Sequence, residues 1–210
     1  MIKAILFDKD GTLFGFRDTW EVWAQSFLTR ISGGDAARAA TLGAALGFDT
    51  ATGTFSKDSI VIAGTPGEVA AALLPHLPYM SHGALVDLLN EEAATAPQSE
   101  VTPLIPFLTS LRDRGLRLGV ATNDAHAPAM AHLEKSGITH LFDFIAGFDS
   151  GFGGKPAPGQ LMAFADHISL PPDQIAMIGD STHDLIAAKA AGMLRIAVLT
   201  GLASEDSLAP

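Results

Sequence analysis

The chain has 210 residues, 48% hydrophobic and 17% charged, with 13 Lys+Arg against 23 Asp+Glu and a formal net charge of −10. This composition supports a packed globular core, excludes a disordered or collagen-like chain, and lacks the basic footprint of a nucleic-acid binder. Cysteine is absent, which excludes disulfides, zinc–thiolate centres and thiol nucleophiles, and no apolar run approaches the ~18 residues of a membrane span.

Residues 4–7 (AILF) are a short apolar run bounded by Lys3 and Asp8, the pattern of a strand buried on both faces. The run stops at Asp8-Lys9-Asp10-Gly11-Thr12, where Gly11 permits a tight turn. Residues 16–98 follow a different rhythm. Trp20, Trp23 and Phe27 fall at i, i+3 and i+7 on one helix face and read as core of this segment rather than as a substrate cradle. Stretches 36–46, 66–74 and 84–94 are also helix-like, residues 59–63 form a β-like patch, and 96–99 read as a linker.

From residue 104 helices and strands alternate. Helices are expected over 104–114, 128–136, 160–167 and 182–191, and strands resembling the first over 116–122, 142–146, 175–178 and 195–199. Gly115, Gly137 and Gly192 stand just past three of the helices, a stop signal. The pattern predicts an α/β fold, a Rossmann-like parallel sheet flanked by helices. Residues 1–15 and 99–210 would form this core, with a mostly α-helical domain, residues 16–98, inserted after the first strand.

Open parallel sheets bind ligands beyond the carboxyl ends of their strands. Those ends carry Asp8 and Asp10, then Thr122-Asn123-Asp124, then Asp180 with Asp184 one helical turn later, and Lys155 follows the third strand. Asp8, Asp10, Asp180 and Asp184 gathered together would repel one another and need counter-charge. Lys155 supplies one positive charge. A hard divalent cation with oxygen ligands supplies two more, which suits Mg²⁺, while no His/Cys set suits zinc.

The motifs DKDGT (8–12), VATN (120–123), GKP (154–156) and IGDSTHD (178–184), in this order, resemble the haloacid dehalogenase superfamily of phosphohydrolases, phosphoglycolate phosphatases in particular. The resemblance covers nearly all of residues 1–15 and 99–210. It implies a Mg²⁺-dependent phosphatase in which Asp8 is the nucleophile that becomes an aspartyl-phosphate and Asp10 is the general acid and base. Thr122 and the backbone N–H of Asn123 would hold phosphoryl oxygens, and Lys155 would neutralise Asp8 and the transferring group. Asp8, Asp180 and the carbonyl of Asp10 would bind Mg²⁺, with Asp184 behind them through water or paired with Lys155. An acid at Asp10 favours a phosphate ester over halide chemistry, because halide leaves without a proton. Lys9 occupies a position where the family often has an apolar residue, and its side chain is expected to point away.

In the family such an insert is a helical cap that closes over the site. Here it carries Arg17, Arg30, Arg38 and Lys57 against nine acids. Arg17 and Lys57 are the candidates for reading a second anionic group on a small phosphorylated metabolite. A cytoplasmic monomer or homodimer is expected, with no membrane or nucleic-acid partner. Two alternatives share these motifs: a phosphosugar mutase and a non-catalytic phosphometabolite-binding protein.

Overall fold

The computed structural model describes residues 1–209. The apolar run after Lys3 forms strand β1 (Ala4–Phe7), the centre of a five-stranded parallel sheet ordered β5-β4-β1-β6-β7. The other strands are β4 (Arg117–Ala121), β5 (Phe144–Ala146), β6 (Ile175–Gly179) and β7 (Leu194–Ala197). Helices α5 (Leu104–Asp113), α6 (His126–Lys135), α7 (Gly159–Ile168) and α8 (Thr182–Ala191) make the crossovers, and α9 (Glu205–Leu208) follows β7. On one face Leu6 and Met177 pack with Phe164 of α7 and Ala187 of α8. On the other, Phe7 and Leu118 pack with Leu104 of α5 and Leu133 of α6. Central strands covered on both sides must be apolar throughout, which is why β1 reads as an unbroken run.

The edge strand β7 departs from that expectation. All four of its residues are exposed, because no strand pairs with its outer side and its apolar pattern alone does not secure cover.

Between β1 and α5 lie α1 (Phe16–Ser32), α2 (Ala36–Leu46), α3 (Pro66–Leu73) and α4 (His82–Thr95). They share a third apolar cluster, drawn from residues 16–96 and centred on Trp23, Phe27, Leu42 and Leu85. The i, i+3, i+7 spacing is realised directly. Trp20 meets Trp23 edge-on at 5.3 Å, and Trp23 stacks on Phe27 at 5.3 Å with planes 7° apart. The chain enters and leaves this segment side by side, with Gly15 N–H donating to Ser99 O and Val101 N–H to Leu13 O.

The expected β-like patch at 59–63 is not a strand. Ser59 Oγ donates to Leu46 O at 2.6 Å and accepts from Val61 N–H, and these bonds fold the patch into turns despite its β-branched residues. The β pairing falls instead on a short hairpin, β2 (Phe48–Asp49) with β3 (Thr54–Phe55). Among the described residues no helix is long and apolar enough to cross a membrane.

Because the helical cluster is distinct from the two sheet clusters, its damage should stay local. Phe27→Ala removes a fully buried ring and should cost about 3–5 kcal/mol. Hydrogen exchange should show the loss of protection concentrated in α1–α4, with β1 and β4 less affected. Equal loss in both regions would show that they unfold as one unit.

Candidate active site

Parallel register places the strand ends together. Phe7 pairs with Val120 and with Ile178, so Asp8 emerges between Ala121-Thr122 and Gly179-Asp180. Gly11 bends the chain beyond Asp10 at φ +79°, and a Cβ there would collide with the Asp180 carboxylate. Asp184 is fixed by the cap of α8. Ser181 Oγ accepts from Asp184 N–H, and the Asp184 carboxylate accepts from Ser181 N–H at 3.0 Å.

Lys155 lies between two of these acids, 2.7 Å from Asp8 Oδ1 and 2.6 Å from Asp184 Oδ1, and is buried with both. Carboxylate oxygens of Asp8, Asp180 and Asp184 all lie within 4.8 Å of one another. Burial, opposed by Lys155 and reinforced by Asp184, pushes the Asp8 carboxyl up to about 7. Burial with the neighbouring Asp8 and Asp184 pushes Asp180 up to about 9. Among the described residues no lysine or arginine pairs with Asp180. An all-oxygen, under-compensated cluster of this kind fits a hard divalent cation such as Mg²⁺.

Thr122 is buried and lines the same cavity as Asp8, Asp10, Asn123 and Lys155. The Asn123 carboxamide accepts from Lys155 N–H at 2.7 Å and donates to Ala63 O at 2.8 Å, binding two loops. Arg17 and Lys57 are elsewhere. Both are exposed, neither lines the cavity, and Arg17 pairs with Glu21 one turn along α1.

Lys9 is the largest departure from expectation. Its side chain does not point clear of the site but is completely buried against Asp10 and Asp124. Its ammonium lies 2.8 Å from Asp10 Oδ1, 3.3 Å from Asp124 Oδ2 and 3.0 Å from His132 Nδ1. It also sits 5.6 Å from the Trp20 ring centroid. Burial raises the Asp124 carboxyl to about 6 against the pull of Lys9. Burial first, then the Lys9 charge, lowers His132 to about 4. The neutral ring accepts from Lys9 at Nδ1, so Nε2 carries the proton and donates to Ala93 O of α4 at 2.7 Å. A lysine in an otherwise apolar slot, with a spare aspartate at the neighbouring strand end, was the available sequence signal for this cluster.

Lys9→Met would strand the buried Asp124 carboxylate and the partly buried Asp10. Removing one partner of a buried pair costs about 3–5 kcal/mol, so urea unfolding should shift to clearly lower denaturant. The double variant Lys9→Met/Asp124→Asn should recover part of the loss. An unchanged midpoint in Lys9→Met would show that the cluster contributes nothing to stability.

Known proteins share the sequence pattern and the fold. A family profile described as haloacid dehalogenase-like hydrolase matches residues 2–192. The phosphoglycolate phosphatase of Rhodospirillum rubrum is 38% identical over 101 residues, 48% of this chain and 42% of that protein. "Probable phosphatase IndB" of Dickeya dadantii is 35% identical over 113 residues, 54% of this chain and 49% of that protein. The matched stretches thus span about half the length of these curated relatives. The crystal structure of CbbY from Rhodobacter sphaeroides in complex with phosphate superposes with a TM-score of 0.72 at 23% identity, over 98% of this chain and 90% of that one. With a profile match across most of its length and the same fold, the chain belongs to the haloacid dehalogenase-like hydrolases.

Proposed function

We propose that the protein is a Mg²⁺-dependent phosphatase of a small phosphorylated metabolite and works through an aspartyl-phosphate on Asp8. The observation that carries this reading is the buried Asp8–Lys155–Asp184 arrangement, with Asp180 beside it, whose Asp8 and Lys155 line a cavity that also reaches Asp10 and Thr122. Asp8, Asp180 and the backbone carbonyl of Asp10 would hold the metal, with Asp184 behind them. When bound, Mg²⁺ supplies counter-charge to the carboxylates and to the substrate phosphate.

Asp8 attacks phosphorus with a carboxylate oxygen, and the bond to the leaving oxygen breaks. Lys155, anchored on Asp8, keeps that carboxylate in place and screens its approach to an anion. Asp10 gives a proton to the leaving alcohol and later takes one from the water that cleaves the aspartyl-phosphate. Lys9 occupies Asp10 Oδ1, which leaves Oδ2 for the proton. Thr122 and the Asn123 N–H steady the phosphoryl oxygens.

In the same reading residues 16–98 are a cap over the core formed by 1–15 and 99–210. In its support, the cavity lies between the two, and Asn123–Ala63 and His132–Ala93 hydrogen bonds join them. Closure of such a cap excludes water from the reacting groups.

Inorganic phosphate should be released from p-nitrophenyl phosphate with Mg²⁺, and either EDTA or Asp8→Asn should abolish it. Removing the nucleophile should cost at least about 10³-fold in kcat. Full activity in either condition would refute the reading.

Metal binding also has a signature in stability. In the metal-free protein Asp8 (about 7) and Asp180 (about 9) titrate above the ordinary carboxylate value. The folded state then holds protons that the unfolded chain has shed, so this contribution is lost as pH rises through those values. His132, held low at about 4, acts in the opposite direction, but only below about pH 6.5. Between pH 7 and 9 the melting temperature of EDTA-treated protein should therefore fall, and excess Mg²⁺ should remove most of that slope. Thermal melts at pH 7, 8 and 9 with and without Mg²⁺ check it.

A further inference from the structure

The wall of the cavity opposite Asp8 is built almost wholly from apolar side chains. Phe16, Trp20, Trp23, Val61, Ile62 and Leu89 line it from the helical segment. That segment's four lysines and arginines, Arg17, Arg30, Arg38 and Lys57, are all exposed, and none lines the cavity. The two buried lysines near the site are already committed. Lys155 holds Asp8 and Asp184, and Lys9 holds Asp10 and Asp124. Apart from the His183 ring, which also lines the cavity, a leaving group that carried its own carboxylate or second phosphate would enter with no uncommitted lysine or arginine to meet it, and burying an unpaired anion is costly.

The wall does have polar handles. The indole N–H groups of Trp20 and Trp23 and the Asn90 Oδ1 are buried without a partner, and all three residues line the cavity. Each unpaired buried group costs roughly 1–3 kcal/mol, and three on this wall of one cavity are a reason to look for a ligand.

Resting on the phosphatase reading, we infer that the substrate is a phosphomonoester of an uncharged, largely apolar alcohol that offers a hydrogen-bond acceptor to the indoles, and not a doubly anionic ester such as phosphoglycolate. Trp20 and Trp23 then have two duties, since they pack the helical cluster with one part of their surface and meet the leaving group with another. This separates the chain from what its resemblance to phosphoglycolate phosphatases implies, because those motifs belong to the phosphate end of the site and not to this wall.

A matched pair of esters tests the inference. Benzyl phosphate and 4-carboxybenzyl phosphate have leaving alcohols of similar reactivity and differ by one remote carboxylate. With Mg²⁺ the intact protein should show kcat/KM for benzyl phosphate at least about tenfold above that for the carboxylated ester, a difference of about 1.4 kcal/mol. Ile62→Lys, at a half-buried position on the wall, should narrow the ratio by raising turnover of the charged ester. The wild-type ratio decides the matter even where that variant folds poorly. Equal turnover, preference for the carboxylated ester, or faster hydrolysis of phosphoglycolate than of benzyl phosphate would overturn the substrate class while leaving a phosphatase in place. Inertness towards both benzyl esters, p-nitrophenyl phosphate and phosphoglycolate would overturn the phosphatase reading first, and this inference with it.

Discussion

Two buried ammonium groups divide five carboxylates between them at the carboxyl edge of the sheet. Lys155 takes Asp8 and Asp184, Lys9 takes Asp10 and Asp124, and Asp180 is left without a cationic partner among the described residues. The excess negative charge is therefore localised around Asp180 and Asp8, not spread over the site. Burial first, with the neighbouring carboxylates adding to it, raises both carboxyl groups, and a divalent cation is the natural complement. Aspartates two residues apart in sequence thereby face different chemical surroundings. Asp8 shares its lysine with an acid on α8, and Asp10 shares its own with an acid that follows β4. An assignment of nucleophile to one and proton carrier to the other needs such a division.

The fold makes this arrangement by ordinary means. Parallel pairing brings three strand ends level, and glycine at residue 11 lets the chain turn without filling the space that Asp180 needs. The capping box at Ser181 and Asp184 satisfies the first turn of α8 and aims a carboxylate at Lys155 with the same residues. Local helix chemistry and site electrostatics are thus served by one side chain, so a substitution at Asp184 disturbs both together.

Much of this is legible in the sequence. Residues 4–7, 36–46 and 182–191 were delimited as observed, because each is bounded by a charge, a cap residue or a glycine. Asp8, Lys155 and Asp184 were expected to meet, and their side chains do. The misreadings have a common cause. Residues 59–63 have strand-like composition, but a serine hydroxyl turns them. Residues 195–199 resemble a buried strand, but a sheet edge leaves them open. Lys9 is expected to point away from the site, but Asp10, Asp124 and His132 hold it inside. In each case the decisive partner lies far away in sequence or arises from topology, where periodicity carries no information. Arg17 and Lys57 show the same limit, since charge alone did not say which side of a helix or loop would face the cavity.

The contacts joining the helical segment to the sheet side bear on how such a site would evolve. Both hydrogen bonds noted across the cavity end on backbone carbonyls, Ala63 O from Asn123 and Ala93 O from His132. Their donors sit on the sheet side and are themselves held by site residues. Asn123 is fixed by the main chain of Lys155, and His132 by the ammonium of Lys9. These two bonds therefore read the proposed cap through its main chain, while side chains such as Trp20, beside Lys9, add packing contacts. Wall residues such as Val61, Ile62 and Leu89 can change without breaking either bond, provided their packing volume is kept. On the proposed reading, substrate choice and closure would fall largely to different atoms of the same segment. That division lets the phosphate end keep its recognisable motifs while the opposite wall departs from what those motifs imply.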